Sequence, residues 1–192
     1  MIGMNILIVD NGTSYLPKLR DLFVGHVIEI KKFGDVDLGH ANGFDFIVLS
    51  GGHQFPVEGN EKKFKNEIEI IQNAKPPILG ICFGFELVAH AFGARLILMK
   101  NKEQGIVEIA PSAESILFDG IDTLRVYESH RWVVESLPHD LVELARSKDG
   151  IEIIQHRSRP VYGFQFHPEM FVDQTVGDTI FKNLFEKNVK CK

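Results

Sequence analysis

The sequence predicts an α/β protein. Its sheet is doubly wound and mixed but mostly parallel, with helices on both faces and an antiparallel extension in the second half. Three observations predict this. Short apolar runs, ILIV at 6–9 and ILGI at 78–81, are rich in β-branched residues and read as strands covered on both faces. Helical spacings alternate with such runs through about residue 95, a βαβα order that implies right-handed crossovers. Beyond that point strand-like runs follow one another at short intervals, with no helical pattern until the end of the chain.

The elements follow in order. The run 6–9 is stopped by Asp10, Asn11 and Gly12. Residues 13–23 carry Tyr15, Leu16, Leu19, Leu22 and Phe23 at helical spacing, with Pro17 in the first turns, where proline is tolerated. An edge-like strand is expected at 26–30, and a buried one at 44–49 that ends on Ser50, Gly51 and Gly52. Residues 61–74 read as a helix, with Phe64, Ile68 and Ile71 toward one face and lysines on the other, broken by Pro76 and Pro77. The strand 78–81 leads directly into a helix at 83–92, which Gly93 caps. Strands are then expected at 95–100, 106–110, 124–127, 141–147, 151–156 and 161–166, with a closing helix at 175–187. No linker or repeat divides the chain, so residues 1–192 read as one domain.

Composition narrows the function classes. Of 192 residues, 44% are hydrophobic and 24% charged, which excludes a disordered or fibrous chain. The net charge is −5 with no basic block, a poor match for nucleic acid or an anionic membrane. Two cysteines, Cys82 and Cys191, point to a reducing compartment rather than a disulfide scaffold. No apolar run approaches the ~20 residues that span a bilayer, and the first residues lack a basic segment ahead of a long apolar one. A cytoplasmic protein is expected. The eight histidines show no His-Glu-x-x-His spacing, so the sequence points to no metal and no cofactor.

Two segments carry chemistry. In ILGICFGFE (78–86) a buried strand runs into Cys82 and a helix begins at once, with Gly80 and Gly84 two residues either side. This is the strand–turn–helix elbow of a nucleophile, which lifts the side chain clear of the sheet. It places sulfur at a helix N-terminus, where partial positive charge favours thiolate, and aims the Phe83 N–H at an oxyanion formed there. A free cysteine is also commonly just a small buried hydrophobe. In VYGFQFHPE (161–169) a strand ends in His167, Pro168 and Glu169. Residues two apart in extended chain share a side, so Glu169 is expected to orient the His167 ring. The alternative is a surface histidine at a strand end. Both segments lie at strand C-terminal ends, where open α/β sheets bind ligands.

Together these segments resemble the class I (triad) glutamine amidotransferases. The elbow is similar to the family's Gly-x-Cys-x-Gly-x-Gln, and the last segment to its Gly-x-Gln-Phe-His-Pro-Glu. Ser50-Gly51-Gly52 resembles the family's oxyanion loop, and the likeness extends over nearly the whole chain. It implies a flavodoxin-like sheet, with Cys82 as nucleophile, His167 as base and then acid, and Glu169 as orienting carboxylate. It also implies backbone N–H groups of Gly52 and Phe83 as the oxyanion hole, and Gly51, His53, Glu86, Ser129 and His130 as substrate contacts. The implied reaction hydrolyses glutamine through a γ-glutamyl thioester and passes ammonia to a separate ATP-using synthetase, because the chain has no P-loop of its own. The segment VYESHRWVV (126–134) and the RPVYG run at 159–163 resemble the glutaminase part of GMP synthetases, although Trp132 replaces the usual Asp. Glutaminases for chorismate-derived aromatics carry a Pro-Gly-Pro-Gly loop that Ser50-Gly51-Gly52-His53 lacks. A stand-alone γ-glutamyl hydrolase and a weakly active or inactive regulatory homologue are the other readings.

Two positions depart from the family pattern. Glu86 stands where the family has Gln, and His53 where it has Pro. Glu86 is four residues after Cys82, so it leans toward the thiol, where an unpaired carboxylate disfavours thiolate and repels a substrate carboxylate. A pairing of His53 with Glu86 across the pocket would neutralise that charge.

Overall fold

Nine strands form one sheet in the order β2-β1-β3-β4-β9-β8-β7-β5-β6 in the computed structural model, which describes residues 3–52 and 55–189. The parallel half comprises β1 (Asn5–Asn11), β2 (Val27–Lys32), β3 (Phe46–Gly52), β4 (Ile78–Ile81) and β9 (Val161–Phe164). The antiparallel half continues from β9 through β8 (Ile151–His156), β7 (Leu141–Arg146), β5 (Arg95–Pro111) and β6 (Leu124–Ser136). The expected mixed sheet with an antiparallel extension is what the chain forms.

The parallel strands β1, β3, β4 and β9 are buried on both faces because each alternate residue meets a different helical layer, while β2 is a half-exposed edge. Leu7, Val9, Ile47, Leu49 and Ile78 pack with α3 (Lys65–Asn73) and α4 (Phe83–Ala91) through Ile70, Ile71, Phe85 and Val88. Ile6, Ile8, Phe46, Val48 and Leu79 pack with α1 (Leu16–Asp21) and α5 (Gly177–Val189) through Leu19, Phe181 and Leu184. Aromatic rings close the second layer, Phe23 meeting Phe181 edge to face at 5.1 Å. A short helix, α2 (Leu38–Ala41), precedes β3 and is capped by the Asp37 side chain, which accepts from the His40 N–H. Gly93 follows α4 at φ +91° and donates to the His90 carbonyl, the expected cap.

The largest difference from the sequence reading lies in the second half. The strands expected at 95–100 and 106–110 are one 17-residue strand, β5. The strand expected at 124–127 runs on to Ser136 and pairs with β5 along its length. The polar and charged residues 100–104 hide this in the sequence, since an antiparallel ribbon tolerates solvent on one face and its register shifts there. The helix expected at 13–23 is shorter, starting at Leu16 with Pro17 in its first turn. The strand expected to reach 166 ends at Phe164, so His167 stands on a turn rather than on extended chain. His53 and Cys191 lie outside the described residues, and with them the His53–Glu86 pairing.

Candidate active site

Cys82 occupies the junction of β4 and α4 at φ +50°, ψ −102°, a conformation L-residues rarely adopt. Holding it costs on the order of 1–3 kcal/mol. Several backbone contacts hold it. The Cys82 N–H donates to the Phe164 carbonyl at 2.8 Å, prolonging the β4–β9 pairing, and the Cys82 carbonyl accepts from the Glu86 N–H in the first helical bond of α4. The flanking glycines are required by close approach. A Cβ on Gly80 would lie 2.2 Å from the Gly84 carbonyl oxygen, and one on Gly84 would lie 2.2 Å from that of Leu49. Backbone occupies both places, so neither position has room for a side chain.

His167 is 4% exposed and Glu169 3% exposed. Their side chains meet through Nδ1 and Oε1 at 2.9 Å, as expected, although a turn closed by the Met170 N–H on the His167 carbonyl brings them together. The His167 N–H donates to the Tyr127 carbonyl at 2.9 Å, and the Tyr15 ring stands edge-on against the imidazole at 4.9 Å. Gly51 lies between the two segments. A Cβ placed there would be 3.0 Å from His167 Cε1 and 3.7 Å from Cys82 Cβ. The fold therefore brings the thiol and the imidazole to one spot, beneath a loop that must be glycine. Gly52 is more tightly confined, since its Cβ would meet the Asn11 carbonyl at 2.3 Å.

These groups open on a cavity of about 510 Å³, a size suited to a small metabolite. Cys82, Gly52, Phe83, Glu86, Ser129 and His167 line it. The Cys82 thiol faces the Ser129 carbonyl at 3.8 Å. Phe55, Lys102 and Trp132 complete its rim.

A model of the family "Glutamine amidotransferase class-I" matches residues 7–187. This chain belongs to the class I glutamine amidotransferases. The reading of it as an enzyme of the glutaminase kind stands with that. Relatives similar to this amidotransferase include the glutamine-hydrolysing GMP synthase subunit of Pyrococcus abyssi. That protein is 35% identical over 186 residues, which cover 93% of this chain and 95% of the relative. The counterpart from Thermoplasma acidophilum is 32% identical over 186 residues, 94% of this chain and 90% of its own. A crystal structure from that organism, provisionally assigned to the same GMP synthase subunit, superimposes with a TM-score of 0.86 at 29% identity. It covers 98% of this chain and 95% of that one. A glutamine amidotransferase from Thermotoga maritima shares the fold, with a TM-score of 0.79 at 18% identity over 97% of this chain and 98% of that one.

The electrostatics of this amidotransferase differ from the sequence expectation in two respects. Burial pushes the Cys82 thiol well above its ordinary range, and Glu86, Glu128 and Glu169 push it further. The Phe83 N–H at the start of α4 opposes this but does not prevail. The helix terminus alone therefore does not make a resting thiolate. Glu86 opposes the thiolate as its position suggests, but only in its ionised form, which burial postpones. Burial raises it to about 8, drawn partly back by the Gln165 amide, so at neutral pH it is a neutral carboxyl beside the thiol. A neutral carboxyl carries an O–H donor and a carbonyl acceptor, close in shape to the amide it replaces.

Other buried polar groups support the site from positions that the motifs do not mark. Glu67 of α3 is 1% exposed and raised to about 8 by burial, with Asn11 partly offsetting this. Asn11 in turn donates its amide to the Ser50 carbonyl at 3.1 Å and its backbone N–H to Ser50 Oγ at 2.9 Å, bracing the 50–52 loop. His130 borders the cavity, but its ring is fully buried and turned away from a substrate role. Nδ1 lies 2.9 Å from the Trp132 carbonyl and Nε2 3.3 Å from Glu128 Oε2, and burial holds the ring neutral, at about 4.

Proposed function

We propose that this amidotransferase is a glutaminase subunit that hydrolyses glutamine to glutamate and ammonia and delivers the ammonia to a separate ATP-using synthetase of the GMP synthetase type in the cytoplasm. The observation that carries the reading is the convergence of Cys82, His167 and the Gly51–Gly52 loop on one cavity. His167 Nε2 takes the Cys82 proton as sulfur attacks the γ-carbonyl of glutamine. That sequence suits a thiol held protonated at rest. Glu169 fixes Nδ1 as the donor and stabilises the imidazolium. The N–H groups of Gly52 and Phe83 receive the developing oxyanion. The C–N bond then breaks, ammonia leaves with the proton from His167, and a γ-glutamyl thioester remains. Water, deprotonated by His167, attacks the thioester, and glutamate leaves as the thiol is restored. Ser129 lines the pocket, Gly51 leaves room between the thiol and the imidazole, and Glu86 donates to the bound amino acid in place of the family's Gln.

The names of the relatives support the synthetase type, and the surface supports a partner. Phe55, which lines the cavity, is 38% exposed, and Phe171 and Val172, just after Glu169 in the chain, are 40% and 50% exposed. Phe171 packs on Tyr127 at 4.6 Å while held at φ +53°, a strained aromatic presented to solvent beside the site. Such a rim favours a docked synthetase over a stand-alone γ-glutamyl hydrolase.

The test is covalent labelling with a glutamine-like electrophile, together with a glutaminase assay with and without the ATP-pyrophosphatase component of a GMP synthetase. The expected result is one label per chain on Cys82, loss of turnover by about 10⁴-fold or more in Cys82→Ala, and stimulation by the partner. Unlabelled Cys82 overturns the chemistry. Full activity that the partner leaves unchanged overturns the coupling to a synthetase.

A further inference from the structure

The eight histidines and 26 acidic residues show no metal spacing in the sequence, yet the fold assembles a ligand set from two strands. Glu128 and His130 stand two residues apart on β6, and Glu152 approaches from β8. One ligand atom from each lies within 4.8 Å of the others, and all three residues are buried. Opposite ligands of one ion stand at most about 4.4 Å apart, so the spacing is within a few tenths of an ångström of what one ion spans.

Burial, unsatisfied atoms, anchored ligands and unpaired charge make this more than a cluster of acids. The His130 side chain is 0% exposed and that of Glu128 1% exposed. His130 Nε2, both Glu128 carboxylate oxygens and Glu152 Oε2 have no hydrogen-bond partner beyond one another. A carbonyl only accepts, so the Nδ1 contact with the Trp132 carbonyl at 2.9 Å places the ring proton on Nδ1 and leaves the Nε2 lone pair toward the two carboxylates. Ser147 Oγ donates to Glu152 Oε1 at 2.6 Å and fixes the third ligand in turn. A ligand histidine anchored through its other nitrogen and a hydrogen-bonded ligand carboxylate are the outer shell that metal sites require. Charge asks for the same occupant. Among the described residues no lysine or arginine pairs with Glu128 or Glu152, and Lys148 is engaged with Glu103 and Asp149 at 3.9 and 3.7 Å.

We propose that Glu128, His130 and Glu152 bind one divalent transition-metal ion, of the class that combines an imidazole nitrogen with carboxylate oxygens, such as Zn²⁺ or Mn²⁺. The imidazole ligand disfavours Mg²⁺ and Ca²⁺, which prefer oxygen alone. The proposal does not depend on the glutaminase reading, although the cluster adjoins that cavity: His130 borders it and Glu128 raises the Cys82 thiol. It ties β6 to β8 directly behind Ser129, whose carbonyl faces the Cys82 thiol. An ion there holds in place the wall of the cavity opposite the thiol.

The experiment uses the full, untagged chain. Metal content is measured after purification. The chain is then stripped with a chelator and titrated with Zn²⁺, Mn²⁺, Co²⁺ and Mg²⁺ while the melting temperature and the visible absorption of the Co²⁺ form are followed. The expected result is one ion per chain, a rise in Tm of roughly 5–10 °C at a hundredfold excess over Kd, and Co²⁺ d–d bands, with Mg²⁺ inert. Glu128→Gln and Glu152→Gln are each expected to abolish the bands. Absence of both a Tm rise and Co²⁺ bands in the unmodified chain overturns the proposal, and identifies the cluster as a carboxyl pair sharing a proton. That readout needs no variant to fold. Bands that persist in both variants place the ion elsewhere and overturn it equally.

Discussion

Glu86 shows how far a single side chain's surroundings decide its chemistry. Read as a charged residue next to Cys82, it opposes thiolate. In its buried setting it is raised to about 8 and is neutral at pH 7. The sign of the pH dependence follows. Below pH 8 the carboxyl is protonated and donates like an amide. Above it the carboxylate adds to the charges that already hold the Cys82 thiol up. Glutaminase kcat/KM is therefore expected to fall as pH rises through about 8, and Glu86→Gln is expected to remove that limb while leaving the rate at pH 6.5 nearly unchanged. Rate profiles from pH 6 to 10 for both proteins check this, and coincident alkaline limbs would refute it. Gly84 offers a purely steric counterpart. Its missing Cβ would sit 2.2 Å from the Leu49 carbonyl, so Gly84→Ala is expected to cost about 3 kcal/mol or more in urea unfolding, whatever it does to catalysis. The proposed nucleophile, base and orienting acid are legible in the sequence because each sits in a short motif whose spacing fixes its neighbours. Glu67, Tyr15 and Glu152 are not, because each reaches the site region from an element distant in the chain.

At the scale of elements, legibility follows the solvent. The inner parallel strands advertise themselves because both faces are buried and apolar residues serve there. Strand β5 hides because its middle is a ribbon in water, where Lys100 and Lys102 sit without penalty. Nothing in a sequence pattern distinguishes such a ribbon from a pair of strands joined by a loop. The turn after β9 has the same cause: the pairing of His167 with Glu169 survives the loss of extended geometry because Pro168 and the Met170 N–H impose an equivalent approach. The exposed rim gives this scale its prediction. Phe171 touches Tyr127, not the imidazole, and faces outward. Phe171→Ser is expected to weaken synthetase binding by about ten- to a hundredfold, as loss of an aromatic anchor does, while partner-free glutaminase activity changes less than twofold. Calorimetry of complex formation alongside the assay separates the two effects, and unchanged affinity would remove Phe171 from the docking surface.

Across the whole molecule, the buried carboxyls link folding to pH. Glu67 has an ordinary value of 4.5 in the unfolded chain and about 8 in the fold. The folded state therefore binds more protons than the unfolded one between those values, and stability falls as pH rises through that window. The contribution is present in full below pH 4.5 and gone above 8, with an upper bound of roughly 4–5 kcal/mol at 1.36 kcal/mol per unit, reduced by local relaxation. Glutamine has nearly the shape of the protonated acid and does not titrate. Glu67→Gln is thus expected to match the wild type in urea unfolding at pH 5 and to exceed it by a few kcal/mol at pH 8.5. Other buried carboxyls, Glu86, Glu128 and Glu152, titrate in both proteins, so the difference between the two curves isolates Glu67. A difference that stays constant from pH 5 to 8.5 would show that Glu67 ionises in the fold as it does in water. The α3 contribution to the floor of the 50–52 loop would then have to be charged, and Asn11 rather than a proton would have to hold it.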